Sequence, residues 1–386
     1  MEEPLSFLPG RALFRVLPAG LLLGIGLCMG PATGSAQNAA SGVSGGGGVE
    51  FQLFQFSDED AVALRSVSLL SVPLAVRISL VGGMDLDVSG AFARGEIERP
   101  DGTTTTLSGP TDTRLRLGTD ELLDQRLSLA AIAVLPTGTS SFSGEEAALA
   151  GILAADLLPF NISSWGSGGG LGAEAAFIHT TGFGNVSVGG AFVVPGEFDP
   201  LEGQTFGYRP GPVLQVQAGV DRDVGSASRL TVQAAFQRYG EDQLEGQNLF
   251  RSGNRIQFVG SYAFPVGATG SSIAYGGYLH RTEGTYLESL ENRPSQGLFY
   301  AGIGLRRPWA GFVLAPSAEV RVLRREGGED QGLLAGVGTS VEVPAGGMLV
   351  VPSVRVRFGS AVIREGSSSS FVGFDAGLRL RRGGER

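Results

Sequence analysis

Residues 70–92, LSVPLAVRISLVGGMDLDVSGAF, decide the fold of this chain. Before the glycine pair Gly82 and Gly83, apolar side chains take every second position, as at Leu74, Val76 and Ile78. After the pair, the apolar residues at 84, 86 and 88 alternate with two aspartates and a serine. Alternation with a period of two around a glycine pair is typical of two antiparallel β-strands joined by a tight turn.

The same alternation returns along the rest of the chain, at 113–117, 214–221, 229–237, 350–358 and 374–381. The connections alternate as well. Short turns are expected near 82–83, 182–185, 223–227, 267–271, 308–311 and 344–347. Longer polar stretches are expected near 95–105, 137–166, 195–211, 240–253, 283–296, 324–331 and 364–370. Short turns at one end and long loops at the other are typical of outer-membrane barrels.

The runs predict an all-β chain with about fourteen to sixteen strands, sixteen if residues 49–56 form the first. Both termini then fall at the short-turn end, which is the periplasmic side. A soluble β-sandwich would also alternate. Strands of membrane-spanning length favour a transmembrane antiparallel up-and-down β-barrel instead. The apolar face would contact lipid and the polar face would line the lumen.

The N-terminus has the pattern of a secretory signal. Arg11 and Arg15 precede an apolar stretch at 16–29, and small residues follow at 31–36. We expect cleavage near Ala36, a flexible Gly/Ser-rich leader at 37–48 and a barrel at 49–386, located in the outer membrane; a membrane anchor is the alternative. The single cysteine, Cys28, lies in the signal, so the mature chain would have no thiol.

The charge of the chain bears on its partners. The net charge is −9 and every basic residue among the 29 is arginine, without a basic block, which argues against a nucleic-acid partner. Expected partners are outer-membrane lipid and lipopolysaccharide, with a small-molecule solute; the oligomeric state stays open. The two histidines, His179 and His280, stand far apart with no Ser-His or metal-ligand motif beside them. The sequence therefore predicts neither an enzyme nor a cofactor.

One segment breaks the alternation. Residues 144–157, GEEAALAGILAADL, are rich in Ala and Leu and carry two acids near their start. This composition predicts a short helix in the longest outer loop. Such a helix would either fold into the lumen and gate it, or be an ordinary loop helix.

Two motifs suggest a family. Residues 109–112 (GPTD) open a strand, and a second strand at 127–138 ends in Leu-Pro-Thr-Gly at 135–138. This pattern resembles the outer-membrane proteins named for the meta-cleavage pathway of phenol degradation. The resemblance implies a β-barrel that passes small, often hydrophobic or aromatic, molecules. The chain departs from most outer-membrane barrels in ending on residues 381–386 (RRGGER), with Phe374 well upstream.

Charged residues on the polar faces form the candidate site. By alternation, eight of them are predicted to line the lumen as ligand-binding candidates: Arg114, Arg116, Arg255, Glu319, Arg321, Arg355, Arg357 and Arg379. Arginine rows facing acids can set a transverse field in a pore; paired charges can equally just fill a narrow lumen. Three functions stay open: a passive channel or transporter, a structural or surface-interaction barrel with a plugged lumen, and a lipid-modifying barrel enzyme.

Overall fold

The computed structural model describes residues 42–287, 292–325, 330–364 and 367–382. The expected signal peptide, its cleavage near Ala36 and the terminal residues 383–386 lie outside these ranges. Among the described residues, neither helix is long and apolar enough to cross a lipid bilayer.

The described chain is almost entirely β-structure. The strands of the main sheet are β1 (Val43–Phe56), β2 (Ser66–Ser79), β3 (Met84–Glu98), β4 (Thr104–Pro110), β5 (Thr113–Leu122), β6 (Leu127–Leu135), β7 (Gly170–Thr180), β8 (Asn185–Pro195), β10 (Val213–Val224), β11 (Ser228–Tyr239), β14 (Arg255–Val266), β15 (Gly270–Arg281), β18 (Gln296–Trp309), β19 (Phe312–Arg325), β20 (Asp330–Ala345), β21 (Met348–Arg364) and β22 (Ser367–Arg382). Two helices, α1 (Glu59–Val62) and α2 (Gly144–Leu153), lie in connections.

The main sheet closes on itself. Each strand pairs antiparallel with its neighbour in sequence order, and β1 pairs with β22 to complete the ring. Seventeen strands take part, but β4 and β5 pair with successive halves of β3 and share one position, so the barrel has sixteen positions. The predicted transmembrane barrel is confirmed, and a closed ring leaves no unpaired edge for lipid to meet.

The connections keep the predicted parity. Short turns at 80–83, 123–126, 181–184, 225–227, 267–269, 310–311 and 346–347 share one end with the start of β1 and the end of β22. The longer connections lie at the opposite end, but the long stretch expected near 364–370 is wrong, because β21 extends to Arg364 and β22 begins at Ser367. We call these the short-turn end and the long-loop end. The leader prediction needs correction, because β1 begins at Val43 rather than 49. Residues 46–48 pair with β22 although glycine gives no alternation to read, since ladder hydrogen bonds use only the backbone.

Five further strands form a small second sheet at the long-loop end, the outer sheet. They are β9 (Tyr208–Arg209), β12 (Glu241–Leu244), β13 (Gln247–Arg251), β16 (Gly284–Tyr286) and β17 (Asn292–Arg293), in the order β17-β16-β13-β12-β9. Three separate long connections contribute to it. The three connections join β8 to β10, β11 to β14 and β15 to β18.

The two barrel faces differ as predicted over most of the wall. Large apolar side chains such as Leu74, Phe92 and Phe258 are exposed on the outward face. The inward face of β1 and β2 departs from the expected polarity near the long-loop end. There Phe54, Phe56 and Leu69 point inward and are fully buried in an apolar cluster. Their burial is possible because a loop covers them from inside the barrel.

Candidate functional site: the barrel lumen

The connection between β6 and β7, residues 136–169, enters the barrel; we call it the inserted loop. It contains the predicted helix, which ends at Leu153, earlier than residue 157. Ser143 caps it in a reciprocal capping box with Glu146, so its first N–H groups are satisfied. Leu149 and Leu153 are buried in the same cluster as Phe54 and Leu69, which places the helix against the inner wall.

Asp112, which lies between β4 and β5, accepts hydrogen bonds from both ends of the inserted loop. One carboxylate oxygen accepts the backbone N–H of Gly138 at 3.0 Å. The other accepts the backbone N–H and the hydroxyl of Ser167, at 2.8 and 2.6 Å. Gly138 is required here, because a Cβ would lie 2.1 Å from the carbonyl oxygen of Trp165. The motifs at 109–112 and 135–138 therefore meet in space, and we call Asp112, Gly138 and Ser167 the latch.

Beyond its helix the loop is held by the inward face of β1. Gln52 donates from its side-chain amide to the carbonyl of Pro159 at 2.9 Å and accepts from the backbone N–H of Asn161 at 2.8 Å. The Asn161 side chain donates to Glu50. The ring of Phe160 meets Phe54 edge-on, with centroids 5.2 Å apart. This stretch is thereby fixed at the middle of β1.

The same loop also reaches the opposite wall. Asp156 lies 3.7 Å from Arg255 at the start of β14 and 3.6 Å from Arg281 at the end of β15. The side-chain amide of Gln296, on β18, donates to Asp156 at 2.5 Å. The inserted loop thus crosses the lumen near the long-loop end.

A charge cluster occupies the middle of the lumen wall on β19, β21 and β22. Glu319 lies within 3.4 to 3.8 Å of Arg357, Arg355 and Arg321. Arg357 also donates to Asp375 at 2.6 Å. The residue of β20 between Glu319 and Arg357 is Gly336. Its missing side chain leaves room for Glu319 and Arg357 to meet across the strand.

A second cluster lies toward the short-turn end. Arg116 contacts Glu174 at 2.5 Å and Asp87 at 3.3 Å. Asp87 also accepts from Arg77 at 2.6 Å. Arg114 lies two residues from Arg116 on the same face of β5.

The predicted site residues all face the lumen, but in separate groups. Five of the eight predicted residues lie in the middle group, namely Glu319, Arg321, Arg355, Arg357 and Arg379. Arg379 pairs with Glu50 beside the Glu319 cluster. Arg114 and Arg116 lie toward the short-turn end, and Arg255 near the long-loop end. Binding of a ligand by these residues stays a prediction.

Sequence reasoning missed the uncharged part of the lumen wall. Gln215, Gln217, Gln237 and Gln257 line the inward faces of β10, β11 and β14. Gln237 donates to Gln215 at 3.0 Å, and Gln215 to Gln217 at 3.4 Å. We call the inward faces of β10, β11 and β14 the glutamine wall. The alternation already set these side chains opposite an apolar face, but uncharged glutamines lack the charge that marks a candidate pore-lining residue in a sequence.

The two sides of the lumen differ in solvent access. Under the inserted loop, Glu50, Gln52 and Ser71 are 7%, 3% and 1% exposed. On the glutamine wall, Gln217 and Gln233 remain half-buried at mid-strand. The loop therefore covers the β1 and β2 side of the lumen, whereas Gln217 and Gln233 on the other side keep partial exposure, although Gln215 beside them is buried.

No catalytic or metal arrangement emerges around the histidines. His179 stacks on Phe177, whose ring is exposed on the outward face, and His280 lies beside Tyr278 on the outward face of β15. Within the described ranges, no group of three or more His, Cys, Asp or Glu side chains is placed to hold a metal ion.

The solved structures similar to this chain include outer-membrane barrels. No protein-family model matches the chain, and no curated protein matches it by sequence. A loop-deletion mutant of OmpT, an outer membrane protein of Vibrio cholerae, is 12% identical with a TM-score of 0.43, covering 88% of this chain and 100% of that one. A triple mutant of the porin of Rhodopseudomonas blastica is 12% identical with a TM-score of 0.39, covering 89% and 100%.

Proposed function

We propose that the protein is a passive channel of the outer membrane that admits small molecules along the glutamine wall. The observation that carries the proposal is the uneven lumen: the inserted loop buries the β1 and β2 side, whereas Gln217 and Gln233 stay accessible. A constriction fixed to the wall narrows a pore without closing it, and its polar lining determines which solutes pass.

The lining favours small uncharged solutes, including aromatic ones. The glutamine amides offer donors and acceptors without a net charge. Tyr275 and Tyr300 also face the lumen, and each ring lies over a glycine of the neighbouring strand, Gly302 and Gly277. Aromatic faces are surfaces on which a planar ring stacks. This supports the class of solute that the resemblance to the phenol-pathway family implies.

A structural barrel with a plugged lumen is the second candidate. It is favoured by the three attachments of the inserted loop, at Asp112, at Gln52 and at Asp156. In that case the charge clusters would serve to fill the lumen with paired groups, and function would reside in the outer loops.

Liposome swelling separates the two candidates. Liposomes containing the folded barrel are challenged with sugars of increasing size and with a small phenol, alongside liposomes without protein. The channel predicts swelling that falls with solute size and is faster for the phenol than for a sugar of equal mass, after subtracting the protein-free rate. Protein-free rates for every solute would contradict the channel and support the plugged barrel.

A further inference from the structure

A small cavity lies where the barrel meets the outer sheet. Its volume is about 10 Å³, and three arginines line it: Arg255 and Arg281 from the rim of the barrel and Arg293 from the outer sheet. The hydroxyl-bearing residues Ser252 and Thr282 also line it. The cavity lies at the long-loop end of the glutamine wall, where Arg255 begins β14, and an ion held there would not depend on solute passage through the proposed channel.

Arginines predominate around the cavity. Among the described residues, Asp156 is the one carboxylate that pairs with Arg255 and Arg281. Its distances of 3.7 and 3.6 Å are too long for hydrogen bonds. Burial also lowers the pKa of Arg293, with Asp156 opposing the shift.

Two donors in this cluster have no acceptor within the described part of the chain. They are Nη2 of Arg255 and Nε of Arg281, and the two side chains are only 4% and 7% exposed. A buried charged donor without an acceptor is strongly destabilising. Thr282 accepts the N–H of Asn254 at 2.9 Å, so its own hydroxyl proton is left to donate into the cavity.

We propose that this cavity binds one monatomic anion of halide size. A volume of about 10 Å³ holds a single water or ion and excludes phosphate and organic carboxylates. A water molecule would accept hydrogen bonds but carries no charge, whereas a halide accepts from the same donors and also offsets the charge of a buried guanidinium. The bound anion would join the rim of β14 and β15 to the outer sheet above them.

Bromide provides the test, because it scatters anomalously and matches chloride in charge. Crystals of the detergent-folded barrel grown in sodium bromide should show an anomalous peak among Arg255, Arg281 and Arg293. Thermal unfolding in bromide, compared with sodium gluconate at equal ionic strength, should give a higher Tm in bromide. A water in the cavity with no anomalous peak, or equal Tm values in the two salts, would overturn the proposal.

Variants assign the effect to the cavity. Arg281→Gln should weaken bromide binding about tenfold or more, since it removes a charged donor. Asp156→Asn should tighten binding by a similar factor, because it removes the opposing charge. Arg306→Gln, at a partly exposed pair with Glu342 near the short-turn end, is the matched control and should leave bromide affinity unchanged. Unchanged affinity in both cavity variants would contradict the site even if each barrel folds normally.

Discussion

Glu319 offsets the positive charge of the arginines in the middle cluster. Its carboxylate is 9% exposed and lies within 4 Å of three arginines, Arg321, Arg355 and Arg357. Removing one partner from a buried ion pair leaves uncompensated charge and costs ~3–5 kcal/mol. We expect Glu319→Gln to lower the free energy of unfolding by about that amount, measured by urea titration of the folded barrel in detergent.

The control for Glu319 is the same substitution at an exposed pair. Glu96 is 38% exposed and contacts Arg94 at 3.2 Å. Because exposed pairs contribute ~0–1 kcal/mol, Glu96→Gln should change the stability little. Equal losses at the two positions would show that the middle cluster is not a buried network.

Asp242 makes the stability of the outer sheet depend on pH. It is buried, accepts the hydroxyl of Tyr208 at 2.8 Å and the N–H of Gly211 at 2.7 Å, and burial raises its pKa from 3.8 to about 6. The folded sheet therefore holds the proton more tightly than the unfolded chain. Its stability is highest below pH 4, falls as pH rises to about 6 and is constant above, a change on the order of 2–3 kcal/mol.

Hydrogen exchange of residues 241–251 measures this dependence. Protection factors, corrected for intrinsic exchange, should be higher at pH 4.5 than at pH 7.5. Asp242→Asn should make them equal at the two pH values. Asp199→Asn, at an acid that accepts from Gly207 in a neighbouring loop, should keep the difference. A difference that survives in Asp242→Asn would assign the effect to another group.

For individual residues, the sequence predicted the direction of a side chain better than the residues that it contacts. Alternation placed Arg116, Arg357 and Glu319 on the lumen face, because strand geometry fixes the direction of every second side chain. It could not pair Arg255 with Asp156, which lies 99 residues away in sequence on a loop without alternation. The path of that loop depends on tertiary packing.

The inserted loop is the element on which the lumen depends, and the latch holds it. Asp112→Ala removes the acceptor for three donors and should release the loop at both ends, at a cost of ~2–4 kcal/mol. Trp165 is 1% exposed in the loop and reports its docking. In a Trp309→Phe background, which removes the other tryptophan, Asp112→Ala should shift the emission of Trp165 to longer wavelength.

The control for the latch is Asp101→Ala in the hairpin between β3 and β4. Asp101 accepts two hydrogen bonds from Thr103 in its own turn, at 2.9 and 2.6 Å, so the loop should stay docked and the emission unchanged. An unshifted spectrum in Asp112→Ala would mean that the other attachments of the loop, at Gln52, at Asp156 and in the apolar cluster, hold it without the latch.

Strands and turns could be predicted from the sequence wherever the pattern that specifies them lies within a few neighbouring residues. Strands and glycine turns were predicted because a period of two and positive-φ residues such as Gly82 and Gly83 act within a few positions. The early start of β1 was missed because glycine carries no side chain to alternate. The inward burial of Phe54 and Phe56 was missed because their cover comes from about a hundred residues downstream.

At the scale of the whole molecule, the barrel is a ring with one covered side and one open side. The count, closure and parity were predictable, since a membrane allows only closed sheets or helices. The uneven filling of the lumen could not be predicted, because it arises from the inserted loop, which contacts three parts of the barrel wall.

Thiol modification during single-channel recording tests this uneven lumen most directly. In a chain lacking Cys28, Gln233→Cys places a thiol on the glutamine wall and Ser71→Cys places one beneath the inserted loop. A water-soluble thiosulfonate reagent should reduce the conductance of Gln233→Cys and leave that of Ser71→Cys unchanged until Asp112→Ala releases the loop. Absence of channels in the unmodified protein, or equal block at the two positions, would contradict the account.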